Sequence, residues 1–209
     1  MSKPSLILIG AGGHARACID AIEQEGIYEI AGLVGLPREV GDKSFGYEVI
    51  ACDAQLGELV DQYQYALISI GQIQTAEHRI RLFSKAQDAG FVFPTVISPT
   101  AYVSPRANIG IGTVVMHGVT INAGATVGEN CIINSNSLVE HDAYIEDHCH
   151  ISTGAILNGN TYINSGSFIG SRAVIKEGIS IGTNSIVGMG LTVRHNVANR
   201  TKYLGLARK

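Results

Sequence analysis

Charge is scarce in this 209-residue sequence: Lys, Arg, Asp and Glu make up 16% of it, with a formal net charge of −3. So weak a balance gives no global pull toward nucleic acid or an anionic membrane surface, and neither is expected as a partner. Long apolar runs are missing too. Behind Met1–Pro4 only Leu6–Ile9 is apolar before Gly10, too short for a signal peptide or a spanning helix. The expectation is a cytoplasmic protein with no membrane insertion. The cysteines, at 18, 52, 131 and 149, form no CxxC pair and find no histidine at zinc-finger spacing. No metal is expected, and in a reducing compartment no disulfide.

What the chain has instead is a period. From Val103 through Ile109, Val115 and Ile121 to Val187 and Val193, an aliphatic residue returns at every sixth position without a slip. Four residues after each comes a second, smaller column that includes Ala107, Thr113, Ala125, Cys131, Ser137, Cys149 and Ala155. A period of six fits neither a 3.6-residue helix nor a two-residue strand repeat; it fits short strands joined by tight corners and wound into a solenoid. Three hexads make one triangular coil with both columns inward, and Gly, Asn and Asp crowd the corners, where φ > 0 is needed. About five coils at the roughly 4.8 Å spacing of paired strands give a prism on the order of 25 Å long. Cys131 and Cys149, one coil apart, should stack as core thiols. The pattern resembles the hexapeptide-repeat, left-handed β-helix; its handedness is what the resemblance implies. Val114, Ile132, Leu138, Ile156, Val174 and Ile186 stand one place before repeat starts and face outward, so some should be covered by a partner, as in a homotrimer.

Before the repeats the grammar differs. Leu6–Ile9 reads as a buried strand, Gly10–Arg16 as the turn into a helix reaching Glu25, Glu29–Val34 as a strand, and Tyr47–Ile50 as a short one. A helix is expected over Asp53–Tyr63, a strand over Ala66–Ile70 and a helix over Thr75–Ala89 closed by Gly90. Repeated β then α implies a small parallel sheet flanked by helices. The fold expected is therefore an α/β Rossmann-like half-domain, residues 1–95, followed by an all-β left-handed parallel β-helix, 96–197. A basic tail, 198–209, closes the chain. Over Arg194 to Lys209 the cations Arg194, Arg200, Lys202, Arg208 and Lys209 stand with no acid, read either as a solvated terminus or as a site for a multiply phosphorylated ligand.

Gly10-x-Gly12-x-x-Ala15 after a strand has the form of a dinucleotide fingerprint, in which glycines let backbone N–H groups approach phosphate at a helix N-terminus. An NAD site wants an acid at the end of the second strand for the ribose, and Val34-Gly35 stands there. The reading preferred over NAD is a nucleotide or sugar phosphate held by Gly12 and Gly13, with His14 nearby. Five of the seven histidines, 117, 141, 148, 150 and 195, lie in the repeats. His141 follows an inward aliphatic by two, so it sits at a corner with Glu140 and Asp142. A histidine there can act as a general base, an acid fixing its tautomer, or it can be a solvated corner residue.

Asn134-Ser-Asn-Ser-Leu-Val-Glu-His141-Asp142, His150-Ile-Ser-Thr-Gly-Ala155, Asn158-Gly159 and Phe168-Ile-Gly170, with Gly10-Ala-Gly-Gly-His14-Ala-Arg16 in front, resemble one family over essentially the whole chain. It is the bacterial sugar acetyltransferases that include sialic acid O-acetyltransferases and N-acetyltransferases of nucleotide-linked 4-amino sugars. The resemblance implies acetyl-CoA as co-substrate, a nucleotide sugar as acceptor, UDP-linked for preference, and a homotrimer with CoA between neighbouring solenoids. It implies His141 as catalytic base with Asp142 as its partner, and Asn134 and His150 lining the transfer site. Gly159 would turn its N–H to the thioester carbonyl, Gly170 and Gly188 would border the CoA groove, and His14 would lie near the nucleotide sugar. UDP-binding members tend to carry Asp-Asp in place of Val34-Gly35, and the usual Gly-x-Pro-Ala-Arg ending is here Gly205-Leu206-Ala207-Arg208. Sialic acid O-acetylation, a non-catalytic trimeric binding module and a zinc-dependent hexapeptide enzyme are the rival readings.

Overall fold

A computed structural model describes residues 3–205. Leu206 to Lys209, with the proline-less ending and the last two cations of the basic tail, lie outside the described residues.

The first domain is a five-stranded sheet. Strands β1 (Ser5–Ile9), β2 (Glu29–Gly35), β3 (Lys43–Ser44), β4 (Tyr47–Cys52) and β5 (Tyr65–Ile68) run in the order β3-β4-β2-β1-β5. The last four are mutually parallel. Helices α1 (Gly13–Glu25) and α3 (Glu77–Ala89) cover it, with the short α2 (Leu56–Leu59) between. Strand alternation distributes β1 between two cores: Leu6 and Leu8 pack with Cys18, Ile19 and Ile22 of α1, Ile7 and Ile9 with Leu82 and Phe83 of α3. Helices α1 and α3 each end at a left-handed glycine, Gly26 or Gly90, whose N–H reaches back to a carbonyl of the last turn.

Two local expectations are corrected. The helix expected over Asp53–Tyr63 is a 3₁₀ turn, Asp53–Gln55, then the single turn of α2. Gly57 sits at its centre and only Leu56 and Leu59 reach the core, too little to carry a longer helix. The sheet is also not wholly parallel. β3 pairs antiparallel to β4 around Phe45-Gly46, both with positive φ (50° and 89°), as a two-residue hairpin turn of mirror-image type requires. Phenylalanine is an unusual first residue for such a turn, so the pattern does not announce it.

From Val96 the chain winds into a parallel β-helix. Two-residue strands recur at the hexad positions, and each pairs with the strand eighteen residues on, as Ile132–Ile133 pairs with His150–Ile151. Three sheets result, of six, five and seven strands. The winding runs past both ends of the strict hexad run. Val96–Ile97 pairs with Val114–Val115, Ile97 standing one hexad before Val103, and Lys202–Tyr203 pairs with Ile186–Val187 where the six-residue spacing no longer holds. The inward columns are buried, and Cys149 N–H points at Cys131 Sγ, 3.3 Å away, both thiols free. Burial raises the Cys149 thiol well above its ordinary value. Corners take left-handed residues: Asn130, Asn136, Asp142, Asn160 and Asn184 have φ between 50° and 58°.

The seven-stranded sheet is the one the first domain packs on. Val114 and Ile132 on its outer surface are fully buried in one cluster with Cys18, Ile19 and Ile22. Leu138, Ile156 and Val174 form a column on the outer surface of the six-stranded sheet and stay half-exposed.

Candidate active site

The candidate residues fall into two groups, on two different corners of the coil. His141, Asp142 and Gly159 lie where the six-stranded sheet turns into the five-stranded one. Asn134, Gly170 and Gly188 lie where the seven-stranded sheet turns into the six-stranded one, spaced by whole coils.

At the first corner His141 Nδ1 is 2.9 Å from Asp142 Oδ2, and both side chains are 65% exposed. The left-handed backbone of Asp142 turns its carboxylate back onto the ring. That hydrogen bond raises the His141 pKa above its ordinary value. With Nδ1–H donated to the carboxylate, Nε2 is the free acceptor. Glu140 steadies the corner from below: its Oε2 accepts from the Asn122 amide at 2.9 Å and from the His141 N–H at 3.3 Å. Gly159, one coil above, is close to the ring. A Cβ there would stand 2.7 Å from His141 Nε2 and Cε1, so only glycine lets the backbone come this near.

Asn134 of the second group is half-buried and reaches His150, which is buried at the junction of the domains. His150 Nδ1 is 2.6 Å from the carbonyl of Gln72, in the segment between β5 and α3, and the Asn134 amide lies 3.3 Å from His150 Nε2. The carbonyl can only accept, which makes Nδ1 the protonated nitrogen and Nε2 the acceptor of the Asn134 N–H. Burial pushes His150 down to about 4, against the opposing bond to Gln72. His14, in the first turn of α1, is pushed to about 3 by burial and by the nearby Arg79 and His150 charges, and its Nε2 is buried without a partner. Both rings are neutral at pH 7. Along the same corner Gly170 admits no side chain, since a Cβ would meet the Met189 nitrogen at 2.5 Å.

Gly12 lines a cavity of about 270 Å³ with Gly10, Ala11, Val34, Gly35, Glu39, Asp53 and Ile70, at the carboxyl ends of the parallel strands. It is lined from the ends of β1, β2 and β4 and by Ile70 after β5, beside the point between β1 and β5 where the strand order reverses, the usual ligand position in such sheets. Gly13 starts α1, whose N-terminus has neither a side-chain cap nor an acid in its first turn, leaving N–H groups free for phosphate.

Sequence reasoning missed three contributors. Arg79 is fully buried and donates to the carbonyls of Ile68 and Ile70 at the end of β5 and to Asn130 on the solenoid. Its signal was present: with Leu82, Phe83 and Ala86 it forms the buried i, i+3, i+4, i+7 stripe of α3, a cation where a hydrophobe belongs. Gln72 binds the His148 and Gly166 carbonyls, and Asp20 of α1 pairs with His117 at 2.7 Å; neither has a local pattern. His117, also bonded to Ser98, and His148, edge-on to Phe83, are thereby junction residues.

An exposed histidine–aspartate pair at a solenoid corner, with a glycine backbone close against the ring, fits an acetyl-CoA-dependent acetyltransferase of the hexapeptide-repeat class. Residues 5–85 match the PglD N-terminal domain, 124–159 the bacterial transferase hexapeptide, and 161–194 the hexapeptide repeat of succinyl-transferase. PerB from Caulobacter crescentus, solved with CoA and GDP-perosamine, is 31% identical over 95% of this chain and 92% of its own, with a TM-score of 0.88. The acetyltransferase domain of PglB from Neisseria gonorrhoeae, solved with acetyl coenzyme A, is 30% identical over 96% of each chain, TM-score 0.87. WeeI from Acinetobacter baumannii shares the fold at 23% identity and a TM-score of 0.82, over 93% of this chain and 94% of its own. No curated protein sequence matches. The chain belongs to the PglD-type sugar N-acetyltransferases with hexapeptide repeats.

Among the described residues no helix is long and apolar enough to cross a membrane.

Proposed function

We propose that this protein N-acetylates the 4-amino group of a nucleotide-linked 4-amino-4,6-dideoxy sugar in bacterial glycan biosynthesis, with acetyl-CoA as donor. On the family resemblance the nucleotide is UDP; the GDP-perosamine bound by the Caulobacter relative favours GDP as the alternative.

The observation that carries this reading is the placement of the two half-sites. They lie along opposite edges of the six-stranded sheet, whose outer column of Leu138, Ile156 and Val174 is still half-exposed. Three copies packing that sheet about a threefold axis cover the apolar column. The same packing brings the His141 corner of each copy against the Asn134, Gly170 and Gly188 corner of the next. The site is complete only in a homotrimer, with acetyl-CoA in the groove between copies.

In this reading the sugar amine attacks the thioester carbonyl directly while His141 Nε2 takes the proton and Asp142 stabilises the imidazolium that forms. The Gly159 N–H meets the developing oxyanion. His150, held neutral, fixes the Asn134 amide at the acetyl end, and Gly12, Gly13 and His14 hold the nucleotide sugar.

The test is CoA thiol release from acetyl-CoA against UDP-, GDP- and dTDP-linked 4-amino sugars and free and CMP-linked sialic acid. Release with one amino sugar, and an acetyl mass gained on it, is the expected result. Release with sialic acids alone overturns N-acetylation in favour of O-acetylation, and silence across the panel overturns the acceptor class.

A further inference from the structure

The acid missing from the end of β2 is supplied from four residues further on. Gly35 ends β2 beside the Gly10–Gly12 loop, where Gly10 N–H bonds the Val34 carbonyl at 2.8 Å. A Cβ built on Gly35 would lie 2.8 Å from Glu39 Oε2. The Glu39 carboxylate therefore occupies the space that a side chain on the strand end would fill. It is anchored there: Oε2 accepts the Leu36 N–H at 2.8 Å, and the turn is closed on both sides by Glu39 N–H to the Leu36 carbonyl and Asp42 N–H to the Glu39 carbonyl, each 2.9 Å. Its other oxygen, Oε1, remains for a ligand. Glu39 lines the same cavity as Gly10, Ala11 and Gly12, and the other ionisable side chains there are Asp53 and His78.

In a doubly wound sheet, phosphate sits at the N-terminus of the first helix, and a carboxylate at the end of the second strand accepts the ribose hydroxyls. We propose that Glu39 is this chain's ribose-binding carboxylate and makes the cavity select ribonucleoside over 2′-deoxyribonucleoside diphosphates. The inference rests on the reading of the acceptor as a nucleotide-linked sugar, and it explains how Val34-Gly35 can end the strand without an acid of its own. It holds whichever base is bound, because the contact is to the sugar of the nucleotide.

The test is calorimetric titration of the full-length protein with two matched pairs, UDP against 2′-deoxy-UDP and GDP against 2′-deoxy-GDP. In the pair whose base is accepted, the ribonucleotide is expected to bind about tenfold tighter or more, the scale of a hydrogen bond to a charged group. Glu39→Ala should bring the ratio of ribonucleotide to deoxynucleotide affinity down to about one, whatever the lost Leu36 anchor takes from both. Glu39→Gln, whose amide oxygen can still accept from Leu36, should keep the deoxy affinity and lose most of the discrimination. Equal affinities in the wild type overturn the proposal, and so does a Glu39→Ala variant that weakens both members of a pair by the same factor, since that marks a loop anchor alone. Binding of no nucleoside diphosphate would instead bring down the nucleotide-linked acceptor and this inference with it.

Discussion

His141 and His150 stand nine residues apart on the same solenoid, and their surroundings give them opposite chemistry. His141 projects from a corner into solvent with a carboxylate on Nδ1, and its pKa is raised. His150 is 6% exposed, bonded at one nitrogen to a backbone carbonyl and at the other to an amide, and is driven down to about 4. One is built to take up a proton and the other to stay neutral as a hydrogen-bonding strut. Residue type did not decide this; the face of the coil did. His150 lies on the seven-stranded sheet, which the chain's own first domain covers, whereas the corner carrying His141 is open to solvent.

Removing the base is the hardest test of that contrast. His141→Ala should lower kcat by roughly 10² to 10⁴, the range of general-base catalysis, and less with an amine acceptor than with a hydroxyl, because a neutral amine attacks without a strong base. Near-full activity with either acceptor would sink the role. The composite site gives the same variant a second use. Gly188→Phe should block the groove at the other corner, where the nearest obstacle to a new side chain is the tip of Leu191 at 3.2 Å. Each variant alone should be nearly inactive. Refolded together at equal amounts they should recover about a quarter of wild-type activity, since a quarter of neighbouring pairs in a cyclic trimer join two intact corners. No recovery in mixed trimers would mean that each chain carries a whole site.

A smaller effect is expected from Asp142→Asn. The carboxylate is the first cause of the raised His141 pKa. A raised pKa means that the base is lost to protonation as pH falls, starting from a higher pH. Removing the carboxylate should therefore move the acid limb of the kcat profile to lower pH. It should also lower the plateau, by about tenfold, because the imidazolium is no longer stabilised and the tautomer no longer fixed. An acid limb that stays in place would assign it to some other group.

The two regions also differ in how far the sequence disclosed them. The solenoid was legible nearly residue by residue, because a coil of eighteen residues repeats one steric demand: aliphatic in, small in, left-handed at the corner. The stacking of Cys149 on Cys131 follows from their spacing alone. The corner of His141 was legible for the same reason. The junction was not. Gln72 carries no local pattern, and its carbonyl meets His150 only because the segment after β5 is laid on the seven-stranded sheet. Nor could the pattern say which outward hydrophobes were already covered: Val114 and Ile132 are, while Leu138, Ile156 and Val174 wait on the other sheet. Glu39 was hidden because the space beside Gly35 is filled from outside the strand.

The smallest expected effect is thermodynamic, and it separates the strut from the base. The unfolded chain protonates His150 as pH falls through the ordinary value of 6.5, whereas the folded chain does so only near 4. Between those values the unfolded state binds more protons, so stability drops as pH falls through that window and levels off below it. At 1.36 kcal/mol for each pKa unit, the loss from this one residue between pH 7 and pH 5 should be about 2 kcal/mol. His14, driven to about 3, adds its own loss with the same sign. A His150→Gln variant sheds the His150 share and keeps most of the His14 share, whose largest cause is burial. Urea unfolding at pH 7 and at pH 5 should therefore show the gap between wild type and variant narrowing by about 2 kcal/mol at the lower pH. His141→Ala should show no such narrowing, because a pKa raised by Asp142 acts with the opposite sign: protonation as pH falls favours the folded chain. Parallel pH dependence in wild type and His150→Gln would show that His150 is no more sheltered than His141, and the contrast between the two histidines would fail at its buried end.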